Sequence, residues 1–204
     1  MKINVPIKEN LPGYGYIFDL DFSDYFAEYY SNTFGLTSNL FESINGKLSQ
    51  NELRGIINLY NLQDTSYFDF LEKYLNIDSL VELINYNSGT IAQFNRLYPY
   101  RDYVTLKEFL QSYTSIGGMI CYDKKGFELV KHVDNRLIMG SFVINIEDNK
   151  DSTEFWYNGE CYHKSPTEMG KGVFFFNTEE TLHSIEVKNQ DLRKVVVANV
   201  SIDH

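Results

Sequence analysis

Apolar side chains recur along this chain with two different periods, and the change from one to the other falls near residue 114. Ahead of it the spacing is mostly helical. Ser49, with Glu52 three residues on, forms a capping box, and Leu53, Ile56, Ile57 and Tyr60 then share one helical face. Phe68, Leu71 and Leu75 repeat that spacing over 66–76, as do Leu80, Leu83 and Ile84 over 79–86. A second box, Thr105 with Glu108, opens a helix carrying Leu106, Phe109, Leu110 and Tyr113. Tyr14 to Phe22 instead alternates, with Tyr16, Phe18, Leu20 and Phe22 opposite Asp19 and Asp21, the pattern of a half-buried strand.

Beyond residue 114 the sequence breaks into short runs rich in Val, Ile, Phe and Tyr: 118–122, 127–134, 138–146, 154–157, 172–177, 183–188 and 193–201. Gly126, Asn149-Lys150-Asp151, Asn158-Gly159, Gly170 and Asn189-Gln190-Asp191 separate them as turns would. So many short strands predict a sandwich or jelly roll. Run 138–146 is apolar on both faces, with Ile138, Phe142, Ile144 and Ile146 on one side and Met139 and Val143 on the other, so it needs cover on both. The helices are the available cover. The expectation is one α+β domain over 1–204, in which 1–113 is a mainly helical support packed on the outer face of a β core at 114–204.

Composition narrows the function classes. A chain of 204 residues buries about two thirds of its unfolded surface and needs neither a disulfide nor a metal to fold, so a metal here would serve chemistry. With 28 acidic and 18 basic side chains the net charge is −10, and no basic block interrupts it, which argues against a nucleic-acid partner. There is no n-region with a following apolar h-region and no run of about 18 apolar residues, so the expected location is cytoplasmic, with no membrane partner. Two cysteines, Cys121 and Cys161, fit a reducing compartment and a packing role. Sixteen Tyr and fifteen Phe imply either a well-filled core or an aromatic-lined pocket.

The candidate chemistry lies in His132-Val133-Asp134, then His183, then Arg193. A strand carries residues i and i+2 on one face, so His132 and Asp134 point together while Val133 points away. His183 shares its face with Ile185 and Val187. Two imidazoles and one carboxylate are the ligand set of a facial iron site with open coordination positions. A core histidine satisfied by a backbone carbonyl would read the same way. That bland reading leaves Arg193 unexplained, because it heads a strand whose Val195 and Val197 share its inward face, and an inward guanidinium calls for a carboxylate partner.

The stretch from Cys121 to about Ala198 resembles the 2-oxoglutarate and iron(II)-dependent dioxygenases, and most of all their prolyl-hydroxylase-like branch. The resemblance is carried by Tyr122, Gly126-Phe127, His132-Val133-Asp134-Asn135, Val143-Ile144-Asn145, Gly172-Val173-Phe174-Phe175-Phe176, Leu182-His183 and Arg193, in that order. It implies a double-stranded β-helix (jelly roll), with His132, Asp134 and His183 as catalytic iron ligands. It further implies that Arg193 pairs with the distal carboxylate of 2-oxoglutarate and that Tyr122 hydrogen-bonds in the same co-substrate pocket. The implied activity is hydroxylation of a small molecule or peptidyl side chain by dioxygen, coupled to oxidative decarboxylation of 2-oxoglutarate to succinate.

Two departures bear on the pocket. Asp151-Ser152-Thr153 stands where family members often have a Gly-Gly pair, and Val143 stands where many add a second co-substrate tyrosine. Two other readings stay open: a cupin-like metalloenzyme with the same ligands and no 2-oxo acid, and a non-catalytic jelly-roll binding module. Arg136 is a candidate for binding an anionic group at the rim or a solvated loop residue, and Trp156 and Tyr157 are mouth-lining or core aromatics. Cys121 is expected to face away from the pocket if Tyr122 faces in. His163 and His204 have no ligand partner at a suitable spacing.

Overall fold

A computed structural model describes residues 1–26, 47–49, 53–58, 70, 72–86, 88–98 and 105–202. Glu52, Tyr60, Phe68, Leu71 and His204, which belong to the patterns above, lie outside the described residues. The described strands form two antiparallel sheets. The larger has eight strands in the order β1 (Lys2–Asn4), β2 (Ile17–Asp21), β10 (Lys171–Phe176), β7 (Ile138–Asn145), β12 (Leu192–Ile202), β5 (Thr114–Lys124), β4 (Arg54–Asn58), β3 (Lys47–Ser49). The smaller has β6 (Glu128–His132), β11 (His183–Glu186), β8 (Glu154–Tyr157) and β9 (Glu160–Lys164), in that order.

Alternation decides which face each side chain serves. On β10, Phe174 and Phe176 join the main core with Phe18, Phe142, Leu80, Leu83, Phe94 and Leu110, so the helices cover this face. Val173 and Phe175 point the other way and meet Ile17 and Phe155 in the space between the sheets. Strand β7 is apolar on both faces, as its composition requires: Phe142 and Ile144 enter the main core and Val143 packs in the inter-sheet cluster. A register shift between Val200 and Ser201 of β12 turns Met139 into the main core as well, although simple alternation puts it with Val143. Gly172 has a steric reason, since a Cβ there would run into the carbonyl of Val143.

The helices are α1 (Ile77–Ile84), α2 (Ser88–Leu97) and α3 (Leu106–Tyr113). Asn76 caps α1 by accepting from the Ser79 amide, and Thr105 caps α3 by accepting from the Glu108 amide at 3.1 Å, as the second capping box predicts. Phe70 and residues 72–74 are also helical, as the 66–76 pattern predicts, but Leu75 and Asn76 are bends ahead of α1.

One reading of the pattern is corrected, and one strand escapes it. Leu53, Ile56 and Ile57 are not a helical face: residues 54–58 are strand β4, paired with β5 through Ile56↔Cys121 and Ile57↔Ile120, and Ser49 ends strand β3. The eleven-residue β5 exposes a hydrogen-bonding edge that a helix cannot satisfy, and β-branched Ile56 and Ile57 suit a pleated surface. Strand β9 is not visible as apolar alternation at all. It forms because Asn158 and Gly159, both at positive φ, fold the chain back onto β8. The 1–113 half therefore does more than supply helices, since it extends both edges of the larger sheet. No helix of the described residues is long and apolar enough to cross a membrane.

Candidate metal centre

The two sheets enclose a cavity of about 180 Å³ between the inter-sheet cluster around Phe175 and a third cluster of Phe127, Ile185 and Val187. His132 ends β6 and His183 begins β11, and the two are direct cross-strand partners with ring centroids 4.4 Å apart. Strand β6 stops at His132, so Asp134 reaches the site from the following loop and not from the strand itself. Asn177 donates its side-chain amide to the Asp134 carbonyl at 3.0 Å, and the Ser141 hydroxyl lies 2.8 Å from Oδ2 of the carboxylate. That leaves Oδ1 turned toward the imidazoles, 3.6 Å from His132 Nε2 and 3.7 Å from His183 Nε2.

Both imidazoles are held in one tautomer. His132 donates from Nδ1 to the Val130 carbonyl at 2.8 Å, and His183 from Nδ1 to the Thr181 carbonyl at 3.0 Å, so each presents a bare Nε2 to the centre. Burial beside Phe155 and Phe175 pushes the His183 pKa below its usual 6.5, outweighing the pull of Asp134 and favouring the neutral ligand form. The ligand atoms of His132, Asp134 and His183 all lie within 4.8 Å of one another, a span that a single metal ion bridges. The donor set suits iron: two neutral imidazoles and one carboxylate on one side, with the cavity on the other.

At the far end of the cavity lies Arg193, 2% exposed. Its Nη1 donates to Asp123 Oδ2 at 3.1 Å and its Nη2 to Thr153 Oγ1 at 3.2 Å, while its buried Nε has no partner among the described residues. Burial lowers the pKa of this guanidinium and Asp123 opposes that, but a guanidinium stays protonated in any case. Asp123 is the carboxylate that an inward Arg193 calls for, and it stands directly opposite on β5. It is also bound by Arg54 from β4, through Nε at 2.5 Å and Nη2 at 2.9 Å. An orphaned, buried guanidinium donor is what the distal carboxylate of a 2-oxo diacid would satisfy, so the residues present fit that group.

Of the residues singled out by sequence, His132, Asp134, His183 and Arg193 come together around one cavity, and Tyr122 does not. Asp123 must face Arg193, so alternation along β5 sends Cys121 into the cavity wall and Tyr122 into the aromatic main core. The expected orientations of Cys121 and Tyr122 are thus reversed. Val143 lines the cavity and makes its wall less polar, and Thr153, from the Asp151-Ser152-Thr153 loop, binds Arg193. Trp156 is on the outer face of the smaller sheet, donating to Ser184 Oγ under the Lys131 ammonium, and Tyr157 at the end of β8 is exposed, so neither lines the cavity or fills a core. Arg136 is exposed and borders a second depression of about 340 Å³ that also touches Asp134 and Tyr98. His163 pairs with Asp19 at 3.0 Å.

Sequence reasoning missed Arg54, Asp123, Ser141 and Thr153. A signal existed for Asp123, because an inward arginine implies a facing carboxylate. Arg54 was hidden inside a misread helix.

No family model and no curated protein matches this chain. Solved structures do match it in fold. A prolyl hydroxylase from Trichoplax adhaerens, in complex with a hypoxia inducible factor oxygen degradation domain peptide fragment, aligns at TM-score 0.63 and 12% identity, covering 94% of this chain and 84% of that one. A Pseudomonas putida prolyl-4-hydroxylase aligns at 0.55 and 14%, covering 82% and 83%. A viral collagen prolyl hydroxylase from Paramecium Bursaria Chlorella virus-1, in its 2-oxoglutarate complex, aligns at 0.54 and 11%, covering 93% and 97%. The resemblance read from sequence thus meets a shared fold with prolyl hydroxylases.

Proposed function

We propose that this protein is an iron(II)- and 2-oxoglutarate-dependent dioxygenase that hydroxylates a small molecule or a peptidyl side chain. One observation carries the reading: a cavity with His132, Asp134 and His183 converging at one end and a buried, incompletely paired Arg193 at the other. His132 and His183 would bind iron through Nε2 and Asp134 through Oδ1, with Ser141 holding the second carboxylate oxygen. Arg193 would hold the distal carboxylate of 2-oxoglutarate, assisted by Thr153 in place of the tyrosine often found in the family. When bound, iron and 2-oxoglutarate supply the oxidising power, with dioxygen as co-reactant and succinate and carbon dioxide as products. The apolar walls at Val143, Val197 and Ile185 keep bulk water from the reacting atoms.

A cupin-like enzyme without a 2-oxo acid has no use for a buried arginine at this place, which favours the dicarboxylate reading. Peptide binding in the Trichoplax neighbour supports peptidyl side chains as a substrate class, and the depression beside Asp134 and Arg136 is the surface from which a substrate would approach the iron. The test is to load the protein with Fe(II) under anaerobic conditions, add 2-oxoglutarate, and admit oxygen. The expected results are a weak metal-to-ligand charge-transfer band and slow succinate formation, with iron binding lost in Asp134→Ala. Absence of both the band and succinate would overturn the proposal.

A further inference from the structure

Three charged side chains form one row across neighbouring strands. Arg54, Asp123 and Arg193 are mutual register partners on β4, β5 and β12, and all are turned to the cavity side of the sheet. Asp123 is fully buried, and the Arg54 side chain is 17% exposed. Arg54 engages both Asp123 oxygens, while Arg193 reaches only Oδ2. The Arg54 guanidinium also lies 4.2 Å from the centre of the Phe127 ring, which fixes it from behind.

The row holds two cations and one anion. A buried cluster with one surplus positive charge is costly until an anion joins it, and the unpartnered Nε of Arg193 is where a donor is free. Were Arg54 absent, Asp123 would turn its full charge on Arg193. The pair would then be neutral, and an arriving carboxylate would meet the Asp123 carboxylate with no surplus cation to offset it.

We infer that Arg54 is a positioning residue: by neutralising Asp123 it leaves Arg193 with the net charge that makes the cavity select 2-oxo acids bearing a second carboxylate. This rests on the co-substrate reading above. The Arg54 guanidinium engages Asp123 and the Phe127 ring and makes no ion pair or hydrogen bond to His132, Asp134 or His183, so its effect should fall on the distal carboxylate alone.

The experiment measures binding to the anaerobic Fe(II) protein by calorimetry, using Fe(II), 2-oxoglutarate, and 2-oxobutanoate as the probe that lacks the distal carboxylate. In Arg54→Met the 2-oxoglutarate dissociation constant should rise about 30-fold, while those for Fe(II) and 2-oxobutanoate stay put. The preference for the diacid over the monoacid should shrink by the same factor. The double variant Arg54→Met/Asp123→Asn removes the anion with its cation and should recover most of the diacid affinity, a rescue that a merely structural role for Arg54 would not produce. Unchanged diacid affinity in Arg54→Met, parallel loss of Fe(II) binding, or a double variant as weak as the single one would each overturn the inference. Wild-type protein that binds Fe(II) but not 2-oxoglutarate would overturn the co-substrate reading, and this inference with it.

Discussion

Replacing Ser141 by Ala should loosen the proposed metal centre without disturbing the fold. Ser141 is buried on β7, and its hydroxyl lies 2.8 Å from Asp134 Oδ2 and 3.0 Å from Asn199 Oδ1. One hydroxyl hydrogen cannot serve both oxygens at once, and the ionised carboxylate is the stronger acceptor, so the hydroxyl donates to Asp134 Oδ2. The tether keeps Oδ1 aimed between the two Nε2 atoms. A hydrogen bond to a charged group contributes about 1.5–3 kcal/mol, but the Asp134 side chain is 19% exposed, so water can replace the lost donor in the metal-free protein. The apo fold should therefore lose about 1 kcal/mol, a fall of about 2–4 °C in thermal midpoint. Metal affinity depends on the carboxylate's aim and should fall about 10- to 100-fold, as for other partners of ligating groups. Anaerobic titration with Fe(II), beside a thermal melt of the apo protein, measures both. A dissociation constant within about twofold of wild type would refute the tether.

Four further outcomes are expected. Arg193→Lys should bind Fe(II) normally but lose the charge-transfer band at 2-oxoglutarate concentrations that saturate the wild type, because an ammonium lacks the planar fork that reaches Asp123, Thr153 and a ligand together. Burial pushes the Cys121 thiol up to about 11, so at pH 8 only about one molecule in a thousand carries the thiolate, and iodoacetamide should label Cys121 only after denaturation. A raised thiol pKa stabilises the fold below the unfolded value of 9.0 and loses that contribution as pH rises toward 11; the thermal midpoint of wild type should therefore drop over that interval more than that of Cys121→Ala. A fragment of residues 114–204 should be insoluble or molten, since it strips β4 from β5 and β2 from β10 and bares the main core that the helices cover; cooperative unfolding with dispersed amide resonances would refute this.

Apart from β9, the strands from 114 onward were legible because each has a strongly apolar period-2 or continuous pattern bounded by turn residues, and that pattern is local. The candidate ligand set was legible for a similar reason. His132 and His183 sit at strand ends, and an inward Arg193 announces itself by sharing a face with Val195 and Val197. The capped helix α3 also carries its own start signal at Thr105.

What only tertiary structure decided is everything that depends on which strand lies beside which. Leu53 to Ile57 reads equally well as a helical or a sheet-forming segment, and the open edge of β5 chose the sheet, bringing Arg54 into the cavity. Tyr122 and Cys121 are adjacent, and either could face in; the pairing of Asp123 with Arg193 across β5 and β12 settled which does, because a carboxylate in the aromatic core would have no partner. Asp134 lies past the end of its strand, so its aim comes from Ser141 on the next strand and from Asn177, far along the chain. Residue order fixes periodicity and local caps, whereas the cost of burying charge is set by neighbours in space, and those exist only once the sheet has formed.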